Sequence, residues 1–206
     1  SMGREDDVKG FWHLLKIFRR VNEEAPDTRL AIIGEGAFTE YKSLAEALGI
    51  GERVLFAGLK KNPFPYLKES DIYVLTSLSE GLPNALVEAL ALSLPVVSAN
   101  CLSGPAEILH EDFKTAEKEK DVFFADYGIL TPPLSWEKDF SVKWKEEKGT
   151  KKIRLDQAQE KFAGAILTLL QNKEIYEKYR KNAVLRAQDF STARYVEELC
   201  GCMERI

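Results

Sequence analysis

Between residues 10 and 100 the apolar positions change period repeatedly, and each change marks an element. Phe11, Leu14, Leu15 and Phe18 recur at i, i+3, i+4 and i+7, which puts one apolar stripe along a helix. Residues 29–33 (RLAII) form a short apolar run stopped by Gly34-Glu35-Gly36, the pattern of a buried strand. Residues 38–48 return to helical spacing and stop at Gly49, a residue suited to a helix C-terminus. The alternation continues as a strand at 54–56, a short helix at 63–68, a strand at 72–75, a helix at 83–92, a strand at 95–98 and a helix starting at 105–109. Strands apolar on both faces and separated by helices predict a doubly wound, parallel, Rossmann-like α/β sheet. Sheets of this kind bind ligands at the carboxyl ends of their strands, so the loops there are where chemistry is expected.

Residues 111–154 break the pattern. They are rich in Lys and Glu, hold Pro132-Pro133, and read as an irregular surface excursion with one short strand at 126–130. Helical spacing resumes at 155–170, 173–188 and 192–203, with Ser191 as the N-cap of the last. Trp136, Phe140 and Trp144 recur at four-residue spacing beside many lysines. Such a stripe fits a membrane surface or a partner, but more often covers a domain's own core, and that use is expected here. Residues 3–206 are read as one domain.

Composition narrows the class. With 45% apolar and 30% charged residues, the chain of 206 residues has an ordinary globular balance. A net charge of -4 argues against nucleic-acid binding, which calls for a basic face. Cys101, Cys200 and Cys202 do not make a disulfide framework and read as reduced thiols of a cytoplasmic protein. No apolar run reaches membrane-spanning length and there is no signal peptide. Ser1-Met2 reads as a cloning remnant ahead of a piece cut from a longer protein. His13 sits among apolar helix positions and is expected to be structural.

The segment 79–90, SEGLPNALVEAL, carries the most chemistry. Glu80 ends the loop after a strand, Pro83 falls at the first helical turn, where its missing N–H is tolerated, and Glu88 lies inside the helix on the same face as Asn84. The first-turn amides between the two carboxylates favour an anion. Carboxylates that accept hydrogen bonds from a sugar diol, around an anion site, suit a ligand with hydroxyls flanking a phosphate. Arg4 and Lys9, just before the first helix, can supply the cations such a phosphate needs.

These motifs resemble the C-terminal, donor-binding domain of glycosyltransferase family 4, enzymes of GT-B fold. Glu80 and Glu88 match that family's Glu-x7-Glu motif within SEGLPNALVEALALSLPVVS. GREDDVKG (3–10) is similar to its Gly-Arg and Lys-Gly pair, 34–58 to its second and third βα units, SGPAEIL (103–109) to its Gly-Gly-x-x-Glu loop with Ser103 in place of the first glycine, and YGILTPP (127–133) to a later loop. The likeness covers residues 3–110 well and the remainder more loosely.

The resemblance implies that Glu88 binds the nucleotide ribose and that Glu80 holds donor-sugar hydroxyls with the backbone of Gly81, Leu82 and Asn84. Arg4 and Lys9 would stabilise the diphosphate, and the backbone of Gly58, Leu59 and Lys60 would meet the base. It implies transfer from a nucleotide-diphosphate sugar with retention, without metal or other cofactor; no Asp-x-Asp sequence is present. It also implies a separate N-terminal acceptor domain, peripheral membrane contact of the intact enzyme at the inner face, and a first strand before Gly3 whose sheet position would be empty or otherwise filled. Rival readings are another GT-B enzyme such as a sugar-nucleotide epimerase, whose acid/base groups are not found here, and a non-catalytic α/β partner-binding module.

Overall fold

The apolar stripe that opens the chain becomes α1 (Phe11–Glu24), which buries Phe11, Leu14, Leu15, Ile17, Phe18 and Val21. Fully burying an aliphatic or aromatic side chain of this size contributes on the order of 1.5–3 kcal/mol, so this helix is a principal anchor. The elements that follow in the computed structural model, which describes residues 1–147, 149–194, 196 and 200, are β1 (Leu30–Ile33), α2 (Thr39–Ala47), β2 (Val54–Gly58), α3 (Phe64–Lys68), β3 (Tyr73–Leu75), α4 (Asn84–Ala91), β4 (Val96–Ala99) and α5 (Gly104–Leu109). Each lies within two residues of its predicted start.

Two apolar clusters lie on opposite faces of the strands. One gathers α1, α2 and the later helix α7 (Gln157–Gln171) against Leu30, Ile32, Val74, Val97 and Ile129. The other gathers α3, α4 and α5, with Ala183 of α8 (Lys173–Gln188), against Ile33, Tyr73, Leu75, Val96 and Leu130. Alternate residues of one strand feed opposite clusters, as a pleated strand covered on both sides requires. The fold is the expected doubly wound α/β arrangement, with parallel pairing of β1 to β2, β3 to β4, and β4 to β6 (Ile129–Thr131).

The sheet is not continuous. Its hydrogen-bonded parts are β1-β2 and the four-stranded order β3-β4-β6-β5, where β5 (Phe123–Phe124) is an antiparallel edge that was not anticipated. Residues 1–3 lie beside β1 and show that the first-strand position is partly occupied. Met2 bridges Ile33 in parallel sense, Ile33 N–H donates to Ser1 O at 3.1 Å, and Gly3 N–H donates to Ile33 O at 2.9 Å. Met2 is 8% exposed, so this residue, read as a cloning remnant, sits as a strand residue would.

The expectation of irregularity over 111–154 is corrected. This stretch holds α6 (Phe113–Ala116), β5, β6 and a hairpin of β7 (Trp144–Glu147) with β8 (Thr150–Ile153). Its middle straps across α1 and α2: Lys16 pairs with Asp139 at 3.1 Å, and the Phe140 ring meets Tyr41 with centroids 5.3 Å apart. Of the aromatic stripe, Phe140 and Trp144 pack against the core as expected, whereas Trp136 is 61% exposed. Ser191 Oγ accepts from Arg194 N–H at 3.3 Å, an N-cap bond; residues 195, 197–199 and 201–203 of the helix predicted there lie outside the described residues, as does Cys202. Among the described residues no helix is long and apolar enough to cross a membrane.

His13 is structural. It is 2% exposed, with Nε2 2.8 Å from Ser135 O and Nδ1 2.7 Å from Gln159 Nε2. A carbonyl can only accept, which assigns the proton to Nε2 and leaves Nδ1 to accept from the Gln159 amide. Gln159 also closes the capping box of α7 with Asp156, so one buried ring joins α1, the strap and α7. Burial, the largest cause, lowers the His13 pKa below its ordinary 6.5. The unfolded chain then binds more protons at this site, so stability falls as pH drops below about 6.5. Urea unfolding between pH 7.5 and 5.5 is expected to show this loss, and a His13→Gln variant a shallower slope over that range.

Candidate functional site

The carboxyl ends of β3 and of the short segment at residues 1–3 open onto one cleft. Its lining includes Arg4, Lys9, Glu80, Leu82, Asn84 and Glu88, and its volume is about 650 Å³. Five charged groups, Asp6 among them, separated by up to 84 positions in sequence therefore share one concavity.

Local backbone contacts bring them together. After Gly3 the chain passes Gly34 so closely that a Cβ on Gly34 would overlap the Gly3 carbonyl. Glu5 ties the loop to the next βα turn through its own N–H to Glu35 O at 2.7 Å and by accepting from Phe38 N–H at 2.9 Å. Asp6 caps a 3-10 turn (Asp7–Lys9) by accepting from Val8 N–H at 3.0 Å. Gly10 then takes φ 60°, and a Cβ there would overlap the Thr76 carbonyl, so this position needs glycine both for the turn and for the close approach. Thr76 Oγ1 donates to Lys9 O at 3.0 Å and Leu78 N–H to Val8 O at 2.7 Å, docking the loop on the segment after β3.

Glu80 is the centre of this assembly. Its Oε1 accepts from Lys9 Nζ at 2.6 Å and from Ser77 Oγ at 2.7 Å. Its backbone bonds to the loop after β4: Glu80 N–H donates to Leu102 O, and Ser103 and Gly104 N–H donate to Glu80 O. Ser77 was missed at the sequence level, although its position three residues before Glu80 was visible. Glu107, the acid of the 103–109 loop, accepts from Ser103 Oγ at 2.5 Å.

Helix α4 begins at Asn84, with Pro83 as the preceding cap residue. Asn84 and Ala85 of its first turn line the cleft and precede the first helical bond, in which Leu86 N–H donates to Pro83 O at 2.9 Å. Glu88 follows one turn later and is half-buried; burial raises its pKa above 4.5. Arg4 is the exposed cation of the group, with 74% of its side chain exposed and Asp6, at 3.6 Å, as its ion-pair partner among the described residues.

The other predicted residues sit apart from this lining. Gly81 packs its carbonyl against Gly104, where a Cβ would overlap it. Gly58 ends β2 at φ 70° and its carbonyl accepts from Gly34 N–H at 3.1 Å, which places it at the same sheet edge beyond β1. Leu59 is 71% exposed, and Lys60 Nζ lies 5.4 Å from the centroid of the Tyr66 ring.

Fold and cleft together define an α/β domain with a mixed-charge pocket at the carboxyl edge of a parallel sheet. The model of the family described as glycosyl transferases group 1 matches residues 1–123, and the chain belongs to that family. An uncharacterised glycosyltransferase of Methanocaldococcus jannaschii is 34% identical over 199 residues, covering 96% of this chain and 47% of the relative. One of Haemophilus influenzae is 38% identical over 204 residues, covering 98% and 48%. The chain thus spans about half the length of these relatives. In fold it is similar to Anabaena HepE solved with UDP, at TM-score 0.72 and 19% identity, over 100% of this chain and 48% of that one. The pneumococcal O-GlcNAc transferase GtfA solved with UDP and GlcNAc matches at TM-score 0.73 and 19% identity, over 99% and 34%.

The Lys9–Glu80 pair is testable in isolation. Its side chains are 24% and 12% exposed, so solvent screens it only in part. A charge-assisted bond of this kind is worth about 1.5–3 kcal/mol, with the lower end expected here because the lysine is partly wet. A double-mutant cycle of Lys9→Met and Glu80→Gln, read by urea unfolding, is expected to give a coupling energy of about 1–2 kcal/mol.

Proposed function

We propose that this chain is the C-terminal, donor-binding half of a retaining, metal-independent glycosyltransferase of family 4 and GT-B fold. The observation that carries the proposal is the convergence of Arg4, Lys9, Glu80, Asn84 and Glu88 on one cleft at the sheet's carboxyl edge. Membership of glycosyl transferases group 1 and the fold's similarity to proteins solved with UDP support it. The ligand is a nucleoside-diphosphate sugar, with uridine as the first base to test.

In this scheme Glu88 accepts hydrogen bonds from the ribose hydroxyls. Glu80, Gly81, Leu82 and Asn84 hold the donor sugar and its flanking oxygens. The base lies towards Gly58, Leu59 and Lys60. Bond cleavage builds charge on the departing diphosphate, and fixed cations with helix-end amides stabilise that charge without reorganising. Lys9 reaches the cleft already oriented by Glu80, whereas exposed Arg4 closes onto phosphate when the donor binds. Neither carboxylate acts as a nucleophile, unlike the paired carboxylates of retaining glycosidases. A second, N-terminal domain carries the acceptor, and closure of the two domains excludes water. The acceptor is a glycan or a lipid-linked saccharide, a class suggested by a Campylobacter jejuni relative, 25% identical over 199 residues, whose name gives a diphospho-undecaprenol substrate. The enzyme works in the cytoplasm at the inner membrane face.

Isothermal titration with UDP, GDP and ADP tests the reading. Binding of one of them, weakened at least tenfold by Glu88→Ala, is the expected result; binding unaffected by Glu88→Ala and by Arg4→Ala together would refute it. Absence of binding by any nucleotide, in this chain and in a form joined to its N-terminal domain, would favour a partner-binding module. A turnover of the bound nucleotide sugar to its epimer would favour the epimerase. Because burial raises the Glu88 pKa, affinity is also expected to decline with falling pH at values above 4.5, and Glu88→Gln to remove that decline.

A further inference from the structure

Ser77 takes no part in the scheme above, yet its side chain is buried, 1% exposed, against the carboxylate on which that scheme turns. It stands three residues before Glu80, in the segment after β3. On either side of it the chain is pinned to the loop before α1, by Thr76 Oγ1 donating to Lys9 O at 3.0 Å and by Leu78 N–H donating to Val8 O at 2.7 Å. A serine oxygen is set by a single side-chain torsion with three staggered positions, so on a pinned backbone it has few places to go.

Ser77 Oγ and Lys9 Nζ reach the same atom, Glu80 Oε1, at 2.7 and 2.6 Å. The ammonium has three protons to donate, whereas the hydroxyl has one and gives it here. Oε1 thereby accepts twice, while among the described residues no hydrogen bond or ion pair reaches Oε2. The Glu80 side chain is 12% exposed and lines the cleft, so Oε2 is the oxygen left for a ligand hydroxyl. The two donors differ in what else they can do. Lys9 carries its charge on a flexible four-carbon stem that also lines the cleft, and a diphosphate there competes with Glu80 for it. A neutral hydroxyl on a short, buried side chain has no such second use.

We infer that Ser77 is a positioning residue for the donor sugar: it holds Glu80 Oε1 in place when Lys9 turns to the diphosphate, so that Oε2 keeps its aim at the sugar hydroxyls. This role rests on the donor-site reading above and adds a division of labour to it. Before binding, Lys9 and Ser77 share the carboxylate. With donor bound, Lys9 divides its protons between phosphate and carboxylate, and the serine supplies the bond that does not depend on the ligand. Without the hydroxyl, Glu80 is tied only to the group that the phosphate draws away, in a setting where water replaces the missing bond in part. The cost falls on the sugar rather than on the nucleotide, because Ser77 lies behind the cleft lining and acts only through Glu80.

Titration of the chain with a nucleoside diphosphate and its sugar conjugates separates the two effects, with UDP, UDP-glucose, UDP-galactose and UDP-N-acetylglucosamine first, then GDP and GDP-mannose. Ser77→Ala is expected to weaken the best-bound nucleotide sugar by about tenfold, as for one hydrogen bond to a charged group, and to leave the free diphosphate within about twofold. In a Glu80→Ala background the same substitution is expected to have no further effect on either ligand. Urea unfolding of the same four proteins is expected to show the two sites coupled by about tenfold in the unfolding constant. Equal losses for diphosphate and nucleotide sugar, a loss that persists without Glu80, or an absence of coupling in unfolding overturns the inference. Nucleotide binding that Glu88→Ala abolishes but Ser77→Ala leaves untouched for every sugar overturns the serine's role alone; no binding of any of these ligands overturns the donor reading as well.

Discussion

The carboxylate of Glu80 joins more separate pieces of chain than any other group in the cleft. It accepts from Lys9 in the loop before α1 and from Ser77 in the loop after β3, while its backbone holds the loop after β4. Leu78 and Cys101 bury apolar surface beside these loops, and Glu80 adds the polar ties: its side chain to the first two and its backbone to the third. Removing one partner of the Lys9–Glu80 pair would leave a partly desolvated group without its bond. Close backbone approaches at Gly10 against Thr76 and at Gly104 against Gly81 then make the arrangement stiff, since a Cβ at either position would overlap a carbonyl. Rigidity of this kind is what electrostatic stabilisation of a departing diphosphate needs, because donors that must reorient during the reaction contribute less.

Much of this was legible before any coordinates. The alternation of apolar runs with helical stripes located the strands and helices from α1 to α5, since each strand is covered on both sides and each helix on one. The loop-Pro-helix context of Glu80 and Glu88 put both acids at the carboxyl edge, and the cleft contains them with Arg4 and Lys9. The pairing of Lys9 with Glu80 was not legible, because side-chain partners separated by 71 positions leave no periodic trace. Ser77 is close to Glu80 in sequence, but a serine in a loop carries no pattern that names its partner.

The excursion at 111–154 was misread because its elements are short or charged. Phe123–Phe124 is a two-residue strand, too brief to show a period. In the β7–β8 hairpin Glu146, Glu147 and Lys151 are exposed, and Trp144 and Ile153 form the contact with the core. The hairpin's one sequence signal was Gly149, which takes φ 76° at the turn. The strap between β6 and β7 is held by Leu134, Phe140 and Val142 on the core and by polar bonds to α1 side chains, including His13 and Lys16, and hydropathy does not register the polar bonds.

Three residues tie the sheet to the cleft. Residues 1–3 form the last rungs beside β1 on one side and lead directly into Arg4 on the other, with Gly3 wedged against Gly34. Backbone packed this closely has few intermediate positions, so the segment fixes where the next residue leaves the sheet. Arg4, the most exposed of the cleft cations, is one residue from that wedge. The point from which Arg4 enters the cleft is therefore set by the pairing of residues 1–3 with β1. Fold and site are coupled here by covalent connection: a parallel sheet delivers its loops to one edge only as accurately as its central strand is held.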